Sequence, residues 1–143
     1  MYRVLLLCKN NTLLSPMAEG YFRALGNEEA EIYRAGIQKD KIDPIIFKLM
    51  EEDGIDISAY SSHSISEYRH LSFDFILTFD AESEDESHHF PSRSVKYHYD
   101  FDKMLPVNEI DQEKIEIFRS IREKIKKIIK SFIKDHLAKA SVQ

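Results

Sequence analysis

The chain predicts an α/β fold, a three-layer sandwich in which a four-stranded parallel sheet is flanked by helices, and three observations carry that prediction. The N-terminal stretch "YRVLLLC" is a continuous apolar run, the pattern of a strand covered on both faces. Strand-like and helix-like segments then alternate, which implies right-handed crossovers onto a parallel sheet. A long amphipathic stripe closes the chain. With 143 residues, the sequence is read as one domain, 1–143, with a substantial core.

The elements follow in order. After the first strand, Ser15 is placed as a helix N-cap with Pro16 at the first helical position. Met17, Ala18, Tyr21, Phe22 and Leu25 form the apolar stripe of that helix, and Gly26-Asn27 ends it. "EIYRAGI" is a second short strand. Asp43-Pro44 opens a second helix by the same capping logic, with Ile46, Leu49 and Met50 buried and Gly54 closing it. "SISEYRHL" forms one short helical turn before "FDFILTF", the third strand, and "SVKYHYDF" is a weaker fourth. "AESEDESHHF" reads as an acidic, solvated loop. From Asp111 onward, Phe118, Ile121, Ile125, Ile128 and Phe132 recur at spacings of three and four, a long helix with Lys and Arg on its outer side.

Composition removes several classes of function. Apolar residues make up 43% and charged residues 31%, and the net charge of −5 comes with no broad basic face in the first hundred residues, so nucleic acid is not expected as a partner. A single cysteine excludes an internal disulfide and points to a reducing, cytoplasmic setting. No apolar run has the length of a membrane span, and Val4–Leu7 is too short for a signal-peptide core, so no stable membrane insertion is expected. The sequence calls for no cofactor. Adjacent His88 and His89 point in divergent directions on most backbones, so no metal site is expected there.

Chemistry concentrates at residues 8 to 15. Ligands in parallel α/β folds bind beyond the carboxyl ends of strands, at helix N-termini, and Cys8 stands at such a place. The N–H groups of Lys9, Asn10, Asn11, Thr12, Leu13, Leu14 and Ser15 can curl round one point, because helix-start amides have no internal partners. The helix dipole adds positive potential, which favours a thiolate at Cys8 and an anion above it. Asn10 and Asn11 tolerate left-handed backbone, and the Ser15 hydroxyl is within reach as a donor to the sulfur. Taken alone, Cys8 equally fits a small buried core residue.

The stretch "LLLCKNNTLLSPMAEGYF" resembles the low-molecular-weight protein tyrosine phosphatases and their thioredoxin-coupled arsenate reductase branch. Their loop is Cys-x5-Arg-Ser, typically Cys-Thr-Gly-Asn-x-Cys/Ile-Arg-Ser-Pro-Met-Ala-Glu, and Cys8, Asn11, Ser15, Pro16, Met17, Ala18, Glu19 and Gly20 match it. "YRAGI", "DPIIFKLMEEDGIDIS", "FDFILTF" and "KYHYDFD" resemble later family segments in the same order, so the likeness covers nearly the whole chain.

The resemblance implies a nucleophilic Cys8, an anion-binding loop over Lys9–Ser15, and departures from the family pattern. Leu14 stands where the family carries its arginine, and Lys9 supplies charge without a guanidinium fork. Lys103 and Met104 fall on the family's Asp-Pro acid, leaving Asp102, one residue away, as the candidate acid. The two relay cysteines of the reductases fall on Asp80 and Ser87, so arsenate chemistry would need an external thiol. The expected function is a pseudoenzyme: an impaired relative that binds a small anion, a phosphorylated or other ligand, or a protein partner at the Cys8 loop. Two readings stay open beside it. One is an active phosphatase or arsenate reductase using Cys8. The other is an interaction module acting through the acidic loop and the last helix.

Overall fold

The computed structural model describes residues 1–9, 13–26, 30–38, 40–91, 93–105 and 114–137. Four strands, β1 (Tyr2–Cys8), β2 (Ala30–Gly36), β3 (Phe75–Thr78) and β4 (Val95–His98), form one sheet in the order β2-β1-β3-β4. All three pairings are parallel. The helices are α1 (Leu14–Leu25), α2 (Pro44–Glu51), α3 (Ala81–Ser87) and α4 (Ile115–Phe132), with a 3-10 turn at Ile65–Glu67 and a π-helical continuation of α4 at Ile133–Leu137.

β1 is central, and its side chains alternate between two buried layers as strand geometry requires. Val4, Leu6 and Cys8 face the larger core, with Met17, Tyr21 and Phe22 of α1, Ile46, Leu49 and Met50 of α2, and the inner row of α4. Leu5 and Leu7 face the smaller core, with Ile65, Phe73, Ile76 and Phe90. The chain runs from β1 to β2 on one side and resumes at β3 on the other. The carboxyl end of β1 is therefore the topological switch point of the sheet.

Most expected elements are present, with four differences. α1 begins at Leu14, and Ser15 does not cap it: Leu13 occupies the N-cap position and makes no side-chain cap bond. Pro16 lies in the first turn, where its missing N–H removes no helical bond. Leu25, placed in the apolar stripe, is exposed at the last turn. The acidic stretch after β3 is not a loop but α3. Asp80 caps it by accepting from the Ser83 N–H at 2.9 Å, and Glu82 and Glu84 in its first turn suit the positive helix end. Its buried residues are Ser83 and Ser87, so it has no apolar stripe to reveal it. In α4, Arg122 is not on the outer side. It is buried and donates to the Leu49 carbonyl at 2.9 Å and the Glu52 carboxylate at 2.6 Å.

Asp43 caps α2 as expected, accepting from the Ile45 N–H at 3.1 Å. Gly54 follows with φ of 74°, a left-handed conformation that glycine adopts without strain. The expected start of the last helix at Asp111 lies outside the described residues, as does Asn27 at the end of α1.

Candidate active site

Cys8 is the last residue of β1, paired with Gly36 of β2 and packed into the larger core, with 4% of its surface exposed. Its Sγ lies 3.0 Å from the Oγ of Ser15, in the first turn of α1. Ser15 is the second residue of the helix, inside its first turn, and from there its hydroxyl meets the sulfur while Leu13 holds the N-cap position. The backbone beyond Cys8 is held from the β2 side: Ile37 N–H donates to the Cys8 carbonyl at 3.3 Å and Gln38 N–H to the Lys9 carbonyl at 3.0 Å.

A cavity of about 310 Å³ opens over Cys8. Four segments line it: Cys8 and Lys9 from the end of β1, Leu13 and Leu14 from the start of α1, Asp80, Ala81 and Glu82 from the start of α3, and Asp102 and Leu105 from the turn after β4. The structure therefore brings together Cys8, Lys9, Leu13, Leu14 and Asp102 from the residues singled out in the sequence, with Ser15 bonded to the sulfur beneath them. Asn10, Asn11 and Thr12 lie outside the described residues.

The described charged groups at the cavity are engaged with one another or with backbone amides. The Lys9 N–H, expected among the free loop amides, donates to the Oδ2 of Asp80 at 2.8 Å. The other oxygen of Asp80 accepts the Ser83 N–H, so the carboxylate is held at both ends and is 8% exposed. The Lys9 ammonium pairs with Glu82 at 3.1 Å. Asp102 is exposed, and its Oδ2 accepts the Ala81 N–H, the first amide of α3, at 3.0 Å. Leu14 is 3% exposed and contributes to both the core and the cavity lining.

Sequence reasoning missed Glu82 and Leu105, and treated Asp80 only as the place of a relay cysteine. The Asp80-x-x-Ser83 spacing ahead of two glutamates was a usable capping signal for α3. Its contact with Lys9, 71 residues away in the chain, left no local trace. Farther from the cavity, His88 and His89 are both exposed, and His89 Nδ1 lies 3.3 Å from Glu86.

Comparison with known proteins agrees with this architecture. The family model described as low molecular weight phosphotyrosine protein phosphatase matches residues 3–143. An arsenate reductase of Halalkalibacterium halodurans is 34% identical over 126 residues, 88% of this chain and 91% of that protein. The solved structure of an arsenate reductase in its oxidized state aligns over 94% of this chain and 98% of its own, with a TM-score of 0.77 and 24% identity. The arginine phosphatase YwlE from Geobacillus stearothermophilus aligns over 94% of this chain and 92% of its own, with a TM-score of 0.73 and 20% identity. At those identities the two structures speak for the fold.

Proposed function

The chain belongs to the low-molecular-weight phosphotyrosine protein phosphatase family, and from that premise we propose that it is a catalytically impaired member, which holds a ligand in the Cys8 cavity without efficient hydrolysis of phosphate esters or reduction of arsenate. The observation that carries this reading is Leu14, an apolar side chain in the cavity lining where the family loop has its arginine. A guanidinium grips two oxygens of a transferring phosphoryl group, and a leucine offers them nothing. Loss of one strong oxyanion donor reduces the rate by roughly 10²–10³.

Two further features support the reading. The family's Asp-Pro acid is replaced by Lys103 and Met104, and Asp102 is engaged with the first amide of α3. A missing general acid lowers the rate by about 10²–10⁴ more, although effects on one transition state need not multiply. Asp80 and Ser87, at the relay-cysteine positions, are buried at the two ends of α3. Cys8 is the sole cysteine of the chain, so no internal disulfide relay can run.

A second reading, a working Cys8-dependent phosphatase or an arsenate reductase served by an external thiol, is favoured by one contact. The Cys8 sulfur keeps a hydroxyl partner, Ser15, at the head of a 12-residue helix. That environment suits an activated nucleophile. Lys9 and Asp102 would then serve as anion partner and acid.

Hydrolysis of a small aryl phosphate separates the two. The wild type is expected to turn over barely above background. Leu14→Arg combined with Lys103→Asp and Met104→Pro is expected to raise the rate at least about 10²-fold, and adding Cys8→Ser abolishes the gain. Substantial wild-type activity that depends on Cys8 would establish the second reading. A well-folded but inactive triple variant would show that the cavity has been rebuilt beyond these positions.

A further inference from the structure

We propose that the outward face of α4 and its π-helical continuation, from Lys124 to Lys134, is a docking surface for an acidic polypeptide segment of a partner protein. This surface is separate from the Cys8 cavity, and its role holds whether or not Cys8 turns over a substrate.

From 124 to 135 the exposed charged residues are Lys124, Lys127, Lys130, Lys134 and Asp135. The lysines stand three or four positions apart, so they form one row on the side turned away from the core. Among the described residues none of these lysines is paired with a carboxylate. The other cations of α4 differ: Arg119 and Arg122 pair with Glu52, and Lys126 with Asp53. Like charges at helical spacing repel one another. Lys130 and Lys134, in the last turns of α4 and of its continuation, answer the negative helix end. Lys124 and Lys127 stand too far from that end for it to compensate them. The row therefore holds unanswered positive charge in a chain whose net charge is −5.

Length and surroundings give the occupant. From Lys124 to Lys134 the helix rises about 15 Å, which about five residues of extended chain cover. Carboxylates along such a chain complement the row. The row begins beside the turn after β4, where Lys124 Nζ lies 3.6 Å from Met104 Sδ and 4.9 Å from the centre of the Phe101 ring. Asp102 and Leu105 of the same turn line the Cys8 cavity, so a docked segment would lead its own protein toward the cavity mouth. A bilayer fits less well. A helix that lies on a membrane buries its apolar face among the headgroups, whereas the apolar face of α4 is committed to the core. The exposed large apolar residues among those described, Met1, Leu25, Val95 and Ile117, all lie outside the row. A broad anionic surface would also meet the acidic remainder of the chain, which a narrow segment avoids.

Fluorescence anisotropy with a fluorescein-labelled hexaglutamate peptide tests the surface on the full chain. The wild type is expected to bind the peptide, with affinity falling about fivefold or more between about 20 mM and about 200 mM salt. Lys127→Glu with Lys130→Glu is expected to weaken binding at least about tenfold. Lys41→Glu with Lys48→Glu alters the net charge equally at exposed lysines elsewhere, and is expected to weaken it less than about twofold. If the first variant does not fold, Lys127→Gln, Lys130→Gln and Lys134→Gln together keep good helix formers and are expected to weaken binding at least about fivefold. No binding by the wild type at low salt would overturn the proposal, as would equal losses in the two charge-reversed variants. Binding to phosphatidylserine vesicles that depends on Lys127 and Lys130, without binding of the peptide, would also overturn it and assign the row to a membrane surface. Aryl phosphate hydrolysis reads the proposed impairment separately, so either idea can fail while the other stands.

Discussion

Glu19, within α1, and Asp80, which bonds the Lys9 amide just after Cys8, are both buried carboxylates, and their surroundings differ. Both oxygens of Glu19 are taken by arginines, Arg34 Nε and Arg23 Nε, each at 2.7 Å. Arg34 is in turn anchored to the Ser61 carbonyl at 2.7 Å. Asp80 has backbone amides but no arginine, and it shares its cavity with two more carboxylates and one lysine. Negative charge is therefore answered by arginines where α1 is fastened to the β2 edge of the sheet and left in excess where the cavity opens over Cys8. A buried charge without a counter-charge is costly, so excess persists where solvent or a ligand can answer it. The first arrangement reads as scaffold and the second as site.

Breaking the balanced side should have the largest effect on stability. Glu19→Ala leaves Arg34 buried beside an empty partner position and is expected to destabilise the protein by about 3–5 kcal/mol. Urea unfolding would measure it, and a loss under about 1 kcal/mol would mean that Arg34 finds solvent or another acceptor. Glu19→Leu together with Arg34→Met removes both charges and should recover much of the loss, because a buried pair contributes little net stability over an apolar pair.

The same unfolding measurement on Asp80→Ala sharpens the contrast. Only an N-cap and one loop bond are lost there, so about 0.5–2 kcal/mol is expected. A loss as large as that of Glu19→Ala would make Asp80 a scaffold residue too and erase the distinction.

The smallest effect concerns a third, balanced region, the seam between the end of α2 and α4. Hydrogen bonds from Arg119 and then Arg122 hold the Glu52 carboxyl down from its ordinary 4.5 to about 2. Asp53 also lies below the usual carboxylate range, first because it accepts the Tyr21 hydroxyl at 2.5 Å and then through Lys126. Burial, followed by the bond to Asp53, pushes the Tyr21 phenol well above its ordinary value. Groups with a depressed folded pKa contribute stability above their unfolded value, and that contribution fades as pH falls through the folded one. Thermal midpoints should therefore drop between about pH 4.5 and 2. The drop should be modestly shallower in Glu52→Gln, because Glu52 is exposed and well screened. Identical slopes would show that the seam does not report on this carboxylate.

Local pattern alone located most of the scaffold. The run through Val4–Leu7 reads as a strand covered on both faces, and every one of those residues is buried. The stripes of α1, α2 and α4 were readable because helical periodicity places Met17, Tyr21, Phe22, Ile46, Leu49, Met50, Phe118, Ile121 and Ile125 on inward faces. Leu25 departs because it stands in the last turn, where α1 no longer faces the core. α3 escaped because a short helix with serines on its inner side carries no apolar period.

The site was half legible. Cys8, Ser15, Leu14 and Asp102 could be named from spacing and family likeness; the cavity gathers Cys8, Leu14 and Asp102, and Ser15 bonds the sulfur. What the sequence by itself determined was the order of elements, their inward faces and the placement of Cys8 at a strand end before a helix start. These follow from interactions between residues a few positions apart. The tertiary structure alone decided which charges meet. Glu19 and Arg34 are 15 residues apart, Asp80 and Lys9 are 71 apart, and Arg122 reaches the Leu49 carbonyl across 73. A carboxylate in a sequence carries no mark of its partner. Only the closing of the sheet order β2-β1-β3-β4 brings one beside arginines and the other to the cavity over Cys8.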